Sequence, residues 1–286
     1  NRSLFVVIQA ALILFGFPCM VLAWRERMGR MGHMGLIGRL SRDPLTFLAA
    51  ALISIMVVIS LLYACAPAVE SDELRYHLAP LFTWLHDGRI HYLPHQAFSN
   101  FPMLGEMLYL LAFQTFSLTS PFFAGAAKLI HLSFLPVAMA QIALLTHRIL
   151  RPARRRDSES STSPFLAAAS FVLIPCVPIL AAWGFIDLFM VSYFLGFVYL
   201  AGRALRRPRR ASGTLIGLVA GGAIAVKYSM LPLLGLLGLV WLLFLFLAPA
   251  CRRQAPRLVA AAAFAALLFG GPWHLRNFLW TGNPFY

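Results

Sequence analysis

The chain has 286 residues, 60% of them hydrophobic and 12% charged. Soluble domains carry roughly 45–50% apolar and about 25% charged residues, so a water-soluble globular fold is excluded. Lys and Arg outnumber Asp and Glu by 24 to 10, a net charge of +14, which on its own would suggest nucleic acid; the placement of the charges argues otherwise.

In chain order, apolar runs cover about 4–24, 45–66, 122–147, 164–183, 185–202, 213–229, 230–250 and 258–275. Each is near the length of about 20 residues that a bilayer core needs, and helices satisfy their own backbone groups in lipid. A ninth run, 102–118, is short and follows a polar loop. The expected fold is therefore an all-α integral membrane protein of about eight transmembrane helices. The chain starts at Asn1 and stops at Tyr286, just past an apolar segment and a turn, and reads as a fragment or a truncated gene product. The run from Leu4 to Trp24 has no A-x-A-like cleavage site and reads as a span, not a signal peptide. The expected division is an extra span and basic loop over 1–44, then a transmembrane domain over 45–286 with an outer loop at 67–121.

Four arginine clusters set the direction of the spans: Arg25, Arg27, Arg30, Arg39 and Arg42; Arg148, Arg151, Arg154, Arg155 and Arg156; Arg203, Arg206, Arg207, Arg209 and Arg210; and Arg252, Arg253 and Arg257. Together they hold 18 of the 24 basic residues, all beside span ends. The positive-inside rule puts them in the cytoplasm, provided that 102–118 does not cross and instead forms an interfacial or re-entrant helix on the outer side. The charge is then a topology signal, and nucleic acid is not an expected partner. The loop from Pro67 to Phe101, the hairpins at Gly184–Ile186 and Lys227–Pro232, and the tail from Pro272 all face outward. The four cysteines, Cys19, Cys65, Cys176 and Cys251, are scattered and read as small apolar residues.

The outer loop opens Glu70-Ser71-Asp72-Glu73-Leu74-Arg75-Tyr76-His77. Its three carboxylates read either as a solvated loop with Ser71 or Asp72 as an N-cap, or as a site that binds or deprotonates an acceptor or holds a metal. Tyr76, His77, Leu81, Trp84 and Leu85 recur at helical spacing, as an amphipathic helix on the membrane surface would require. Asp187 enters an apolar helix at the lipid boundary, where a carboxylate is costly unless functional; the alternative is a cap in the interfacial zone. Lys227 stands alone among apolar residues and reads as a snorkelling lysine or as a phosphate ligand. Arg276 offers a planar fork to a phosphate, and Trp273 and Trp280 match an interfacial aromatic belt. Glu106 either supports the site or stabilises the N-terminus of its helix. The histidines show no zinc spacing such as H-E-x-x-H, and no phosphate-cradling loop or nucleophile elbow is present.

An ordered series now resembles a known family. It comprises Asp72-Glu73-Leu74-Arg75-Tyr76-His77-Leu78-Ala79-Pro80, His86-Asp87-Gly88-Arg89-Ile90, Phe101-Pro102-Met103-Leu104-Gly105-Glu106, Ala127-Lys128-Leu129-Ile130-His131, Phe185-Ile186-Asp187-Leu188, Ala225-Val226-Lys227-Tyr228-Ser229, and Pro272-Trp273 through Asn283-Pro284-Phe285-Tyr286. These residues resemble the multi-span C-type glycosyltransferases, in the bacterial branch that uses polyprenyl-phosphate sugars, near the protein mannosyltransferases and aminoarabinose transferases. The resemblance covers residues 70 to 286. It implies an outward-facing site in a bacterial inner membrane, on the periplasmic side, with Asp72 as the catalytic or acceptor-binding carboxylate and Asp187 as a second acid.

Displacing a lipid phosphate from an anomeric carbon needs stabilisation of developing phosphate charge, which Lys227 and Arg276 can supply. His77, Tyr76 and Glu106 complete the expected substrate-binding set. Asp72 takes the acceptor's proton, with inversion at carbon. No cofactor is expected, although the carboxylates leave a divalent cation, Mg or Mn, open. The partners are the lipid-linked sugar, the bilayer and an acceptor that is a glycan, a lipid or a protein. The chain departs from the family by its extra N-terminal span and by ending early. A transporter or lipid flippase, or a non-catalytic membrane protein, is the competing class; a transporter would place ionisable groups at the midplane and carry internal repeats.

Overall fold

The computed structural model describes residues 44–116, 120–150 and 163–285. The predicted span at 4–24, the basic cluster at 25–42 and the run Arg151–Arg156 lie outside the described residues. Among the described residues there is no strand. The elements are α1 (Pro44–Cys65), a π-helical turn (Glu73–Leu78) running into α2 (Ala79–Asp87), a 3-10 turn (Ala97–Asn100), α3 (Leu104–Phe116), α4 (Ser120–Leu132), α5 (Phe134–Leu150), α6 (Ser163–Val172), α7 (Cys176–Ala181), α8 (Asp187–Arg206), α9 (Arg210–Val226), α10 (Met230–Leu247), α11 (Pro249–Arg252) and α12 (Ala255–Thr281).

Five stretches among the described residues are long and apolar enough to cross a membrane: α1, the run Phe123–Leu150 made by α4 and α5, α8, α10 and α12. At about 1.5 Å per residue, the 18 residues of α10 reach about 27 Å and the 22 of α1 about 33 Å, which brackets a hydrocarbon core of about 30 Å. Their outer surfaces are apolar: Leu236, Leu239, Leu243 and Leu247 of α10 are all exposed. A water-soluble monomer does not present such a face, and the protein is an α-helical membrane protein.

One predicted span is broken, and two other runs form shorter helices. The run 164–183 is split into α6 and α7 around Leu173–Pro175, where Pro175 and Pro178 remove backbone donors. The run 213–229 becomes α9, an apolar helix of 17 residues. The short run 102–118 becomes α3, 13 residues or about 20 Å, too short to cross. Leu104, Met107, Tyr109, Leu110 and Phe113 of α3 are buried in the main core with Leu81 and Trp84 of α2. The apolar face of α2 is thus covered by protein. Gly88, in the left-handed region at φ 62°, ends α2, and its N–H donates to Trp84 O.

The closest helix pair is α9 with α12. Gly213, Gly217 and Gly221 recur every fourth residue and lie on the backbone of α12. A Cβ on Gly217 would stand 2.1 Å from Ala262 O, and one on Gly213 would stand 2.3 Å from Leu258 O. Only glycine lets the two backbones approach this closely, as in small-residue packing within membranes. The contact fixes the ends of both helices, and therefore brings the Lys227–Tyr228 hairpin beside Arg276 and Asn277.

Connections alternate between the two ends of the bundle. One end holds Arg203, Arg206, Arg207, Arg209, Arg210, Arg252, Arg253 and Arg257, and there Cys251 Sγ lies 3.1 Å from Leu205 O. The other end gathers the segments after α1, before α3, between α7 and α8, between α9 and α10, and after α12, as the contacts below establish.

Candidate functional site

The first layer of this end is a buried acid and a buried base that fasten the loop after α1. Glu73 is fully buried and its Oε1 accepts the Gly184 N–H at 2.8 Å. A Cβ at residue 184 would fall 2.8 Å from that same oxygen, so a larger residue there would displace the Glu73 carboxylate. Lys128, on α4 and 2% exposed, donates to Ala66 O at 2.9 Å and Pro67 O at 3.1 Å, and its ammonium stands 3.9 Å from Glu73 Oε2. Burial pushes the Glu73 carboxyl above its ordinary pKa, against the Gly184 hydrogen bond and the Lys128 charge, which pull it down.

A histidine joins the same layer to α8. Leu188 N–H donates to His131 Nε2 at 2.9 Å, so Nε2 is the acceptor and Nδ1 carries the hydrogen that goes to Trp183 O, also at 2.9 Å. His131 is therefore the neutral ring that ties the α7–α8 hairpin to α4.

The second layer carries most of the residues predicted from the sequence. His77 Nδ1 donates to Glu106 Oε1 at 2.7 Å, and both side chains are buried. Tyr76 stacks on His77 with ring centres 4.2 Å apart and on Phe98 at 4.9 Å, and meets the edge of Phe101 at 5.6 Å. Burial raises the Tyr76 phenol well above its ordinary pKa, and the carboxylates of Glu106, Asp187 and Asp72 push it in the same direction.

Phe101 continues the layer to Tyr228 at 5.5 Å. Tyr228 accepts a hydrogen bond from Asn277 Nδ2 at 2.6 Å and donates to Asn100 O at 3.4 Å, while Asn277 Nδ2 also donates to Asn100 O. Burial raises the Tyr228 pKa, and the Asn277 bond and the Arg276 charge oppose the rise.

Arg276 lies between the rings of Trp273, 4.5 Å away, and Trp280, 4.7 Å away. Its Nη2 donates to Ser99 O at 3.1 Å, Phe101 O at 3.0 Å and Asn277 Oδ1 at 2.9 Å, and its Nε donates to the same Asn277 oxygen at 3.2 Å. Only Nη1, itself buried, is left without a partner, so one nitrogen of the guanidinium is uncommitted instead of a two-pronged fork.

Of the predicted residues, Tyr76, His77, Glu106 and Arg276 share this network. Asp72 is exposed, and Asp187 and Lys227 are half-buried. Asp72 is helical, φ −69° and ψ −36°, and its side chain caps nothing. Asp187 sits in the first turn of α8, where its charge also suits the helix dipole. Glu106 holds the same position on α3 and also pairs with His77.

The sequence reading passed over Glu73, Lys128, His131, Asn100, Tyr228 and Asn277 as site residues. For Lys128 the signal was present, a single ammonium inside an apolar run, the same argument applied to Lys227. Asn100 and Asn277 are small amides with no distinctive spacing, and only the fold brings them together.

Among the described residues no three His, Cys, Asp or Glu side chains converge as metal ligands do. No family model, no curated protein and no solved structure matches the chain.

Proposed function

We propose that this protein is a membrane glycosyltransferase that moves a sugar from a polyprenyl-phosphate carrier to an acceptor at the membrane face opposite the arginine clusters, with inversion at the anomeric carbon. What supports the reading is the polar and aromatic layer at this end, in which His77 pairs with Glu106, Tyr76 stacks on His77 and meets Phe101, and Phe101 continues to Tyr228 and, through its carbonyl, to Arg276. A transfer site needs a carboxylate for the acceptor's proton and positive charge for the departing phosphate. Residues of both charge types lie on the segments of this end, Asp72 and Asp187 among the acids and Lys227 and Arg276 among the bases.

In this proposal exposed Asp72 accepts the acceptor's hydroxyl proton. The ammonium of Lys227 and the Nη1 of Arg276 stabilise the phosphate as it leaves. The His77–Glu106 pair holds the Tyr76 helix against α3. The isoprenoid tail stays in lipid between helices, so no soluble nucleotide sugar is needed. The reading includes about eight crossings, with α6–α7, α9 and the 4–24 segment joining the five long ones in a C-type glycosyltransferase fold. It also includes residence in a bacterial inner membrane.

The test is transfer of label from a radiolabelled polyprenyl-phosphate sugar to a membrane acceptor. Asp72→Asn is expected to lower the rate at least about 100-fold while the protein still fractionates with membranes. Transfer by that variant at the unaltered rate rejects Asp72 as the base. Uptake of label into vesicles without transfer replaces the enzyme with a transporter.

A further inference from the structure

The 3-10 turn Ala97–Asn100 shows a division between its backbone and its side chains. Backbone carbonyls here are engaged: Ser99 O and, just past the turn, Phe101 O accept from Arg276, and Asn100 O accepts from Asn277 and Tyr228. The side chains are not. Ser99 is 0% and Asn100 1% exposed, yet Ser99 Oγ and both Asn100 Oδ1 and Nδ2 have no hydrogen-bond partner. The Tyr76 hydroxyl, in the ring packed on Phe98 and Phe101, and Glu106 Oε2, on the carboxylate paired with His77, are also buried and unpartnered.

Buried polar groups in native proteins are paired almost without exception, and a local group of unpaired ones calls for an explanation. Here five atoms on four side chains, from three separate segments, stand unpaired inside one layer. Their chemistry is mixed. Asn100 Nδ2 can only donate, Glu106 Oε2 and Asn100 Oδ1 accept, and the Tyr76 and Ser99 hydroxyls do both. A phosphate would meet this set badly, because its oxygens only accept and Glu106 would repel it. Neutral hydroxyl groups, each a donor and an acceptor, match it. Phe98, 45% exposed and stacked on Tyr76, adds an apolar ring surface of the kind that packs on the C–H face of a sugar.

We infer that Tyr76, Ser99, Asn100 and Glu106 form the subsite for the polyhydroxyl, uncharged part of the ligand, the sugar ring itself, and that the phosphate is left to Lys227 and Arg276. The assignment rests on the glycosyl-transfer reading for the identity of the lipid and on the unpartnered atoms for the location of its sugar.

The experiment compares binding of bare polyprenyl phosphate with that of its glucosyl, mannosyl and arabinosyl esters to the purified protein in detergent, alongside the melting temperature of the ligand-free protein. Asn100→Leu replaces both unpaired atoms with methyl groups on the same branched skeleton, at a larger volume. It is expected to raise the ligand-free Tm by about 2 °C, as relief of unpaired buried groups does. It is also expected to weaken the preferred sugar ester about tenfold while leaving bare polyprenyl phosphate unchanged. Ser99→Ala provides a second, smaller truncation with the same expected pattern should the first variant not fold.

The inference is overturned if no ester binds more tightly than bare polyprenyl phosphate, if the preference survives both substitutions, or if the truncation Ser99→Ala lowers Tm and so reveals a structural role. Sugar preference without transfer would leave this subsite standing and remove the transfer reading. Transfer with a preference indifferent to residues 99 and 100 would do the reverse.

Discussion

Glu73 and Asp72 are neighbours in the chain and opposites in the fold. Asp72 is exposed, while Glu73 turns inward to Gly184 and Lys128. Because burial raises the Glu73 pKa, the folded state holds its proton more tightly than the unfolded chain does. The sign follows directly: the contribution is fully present below the ordinary value of 4.5 and is lost as pH rises through the higher folded value. Glu73→Gln keeps an oxygen for Gly184 and removes the titration. Thermal melts in detergent across acidic to neutral pH are expected to show a flatter slope for the variant, with stability at neutral pH no lower than that of the parent. A variant slope as steep as the parent's would transfer the pH dependence to another group. At this scale the sequence singled out Tyr76, His77, Glu106 and Arg276, which the fold joins in one network, because an ionisable or amphipathic residue beside an apolar run is conspicuous. It did not separate Asp72 from Glu73, because which of two adjacent carboxylates faces inward depends on the phase of a helix that starts as a π turn.

Among the elements, α9 and α12 decide the geometry of the site. Their glycine contact places Tyr228 within hydrogen-bond reach of Asn277, and Asn277 holds both Asn100 O and, through its Oδ1, Arg276. Gly217→Val pushes a side chain into Ala262 O, a backbone atom that cannot swing aside. The helices must separate, and destabilisation of about 3 kcal/mol is expected, the upper part of the usual range for overpacking. Gly235→Val on α10 meets nothing within 4 Å and is expected to change stability by less than about 0.5 kcal/mol. Thermal unfolding of both variants checks the pair; equal losses would show that the glycine contact does not control the packing. The apolar runs themselves were readable in sequence, since their length and composition are one-dimensional properties. The split of 164–183 into α6 and α7, and the burial of α3 and α2 in the core, were not, because they depend on what each helix packs against.

Across the described residues, the clustered arginines of 203–210 and 252–257 collect at one end and the acid, amide and aromatic network at the other. The described hairpins therefore alternate in side. Cysteines introduced at Ser71 and Ser229, both exposed, are expected to react with a membrane-impermeant maleimide from one side of sealed vesicles, and one at the exposed Arg207 only after permeabilisation, in a background freed of Cys19, Cys65, Cys176 and Cys251. Labelling of all three from the same side would break the topology on which the site depends. By itself the sequence determined that this is a helical membrane protein and which end carries its positive charge, since both follow from hydropathy and from the position of arginines along the chain. Only the tertiary structure decided which polar groups meet. Glu73 with Gly184, Asn100 with Asn277 and Arg276 with Ser99 are 111, 177 and 177 residues apart along the chain, and contacts of that range are set by helix packing, not by any local pattern.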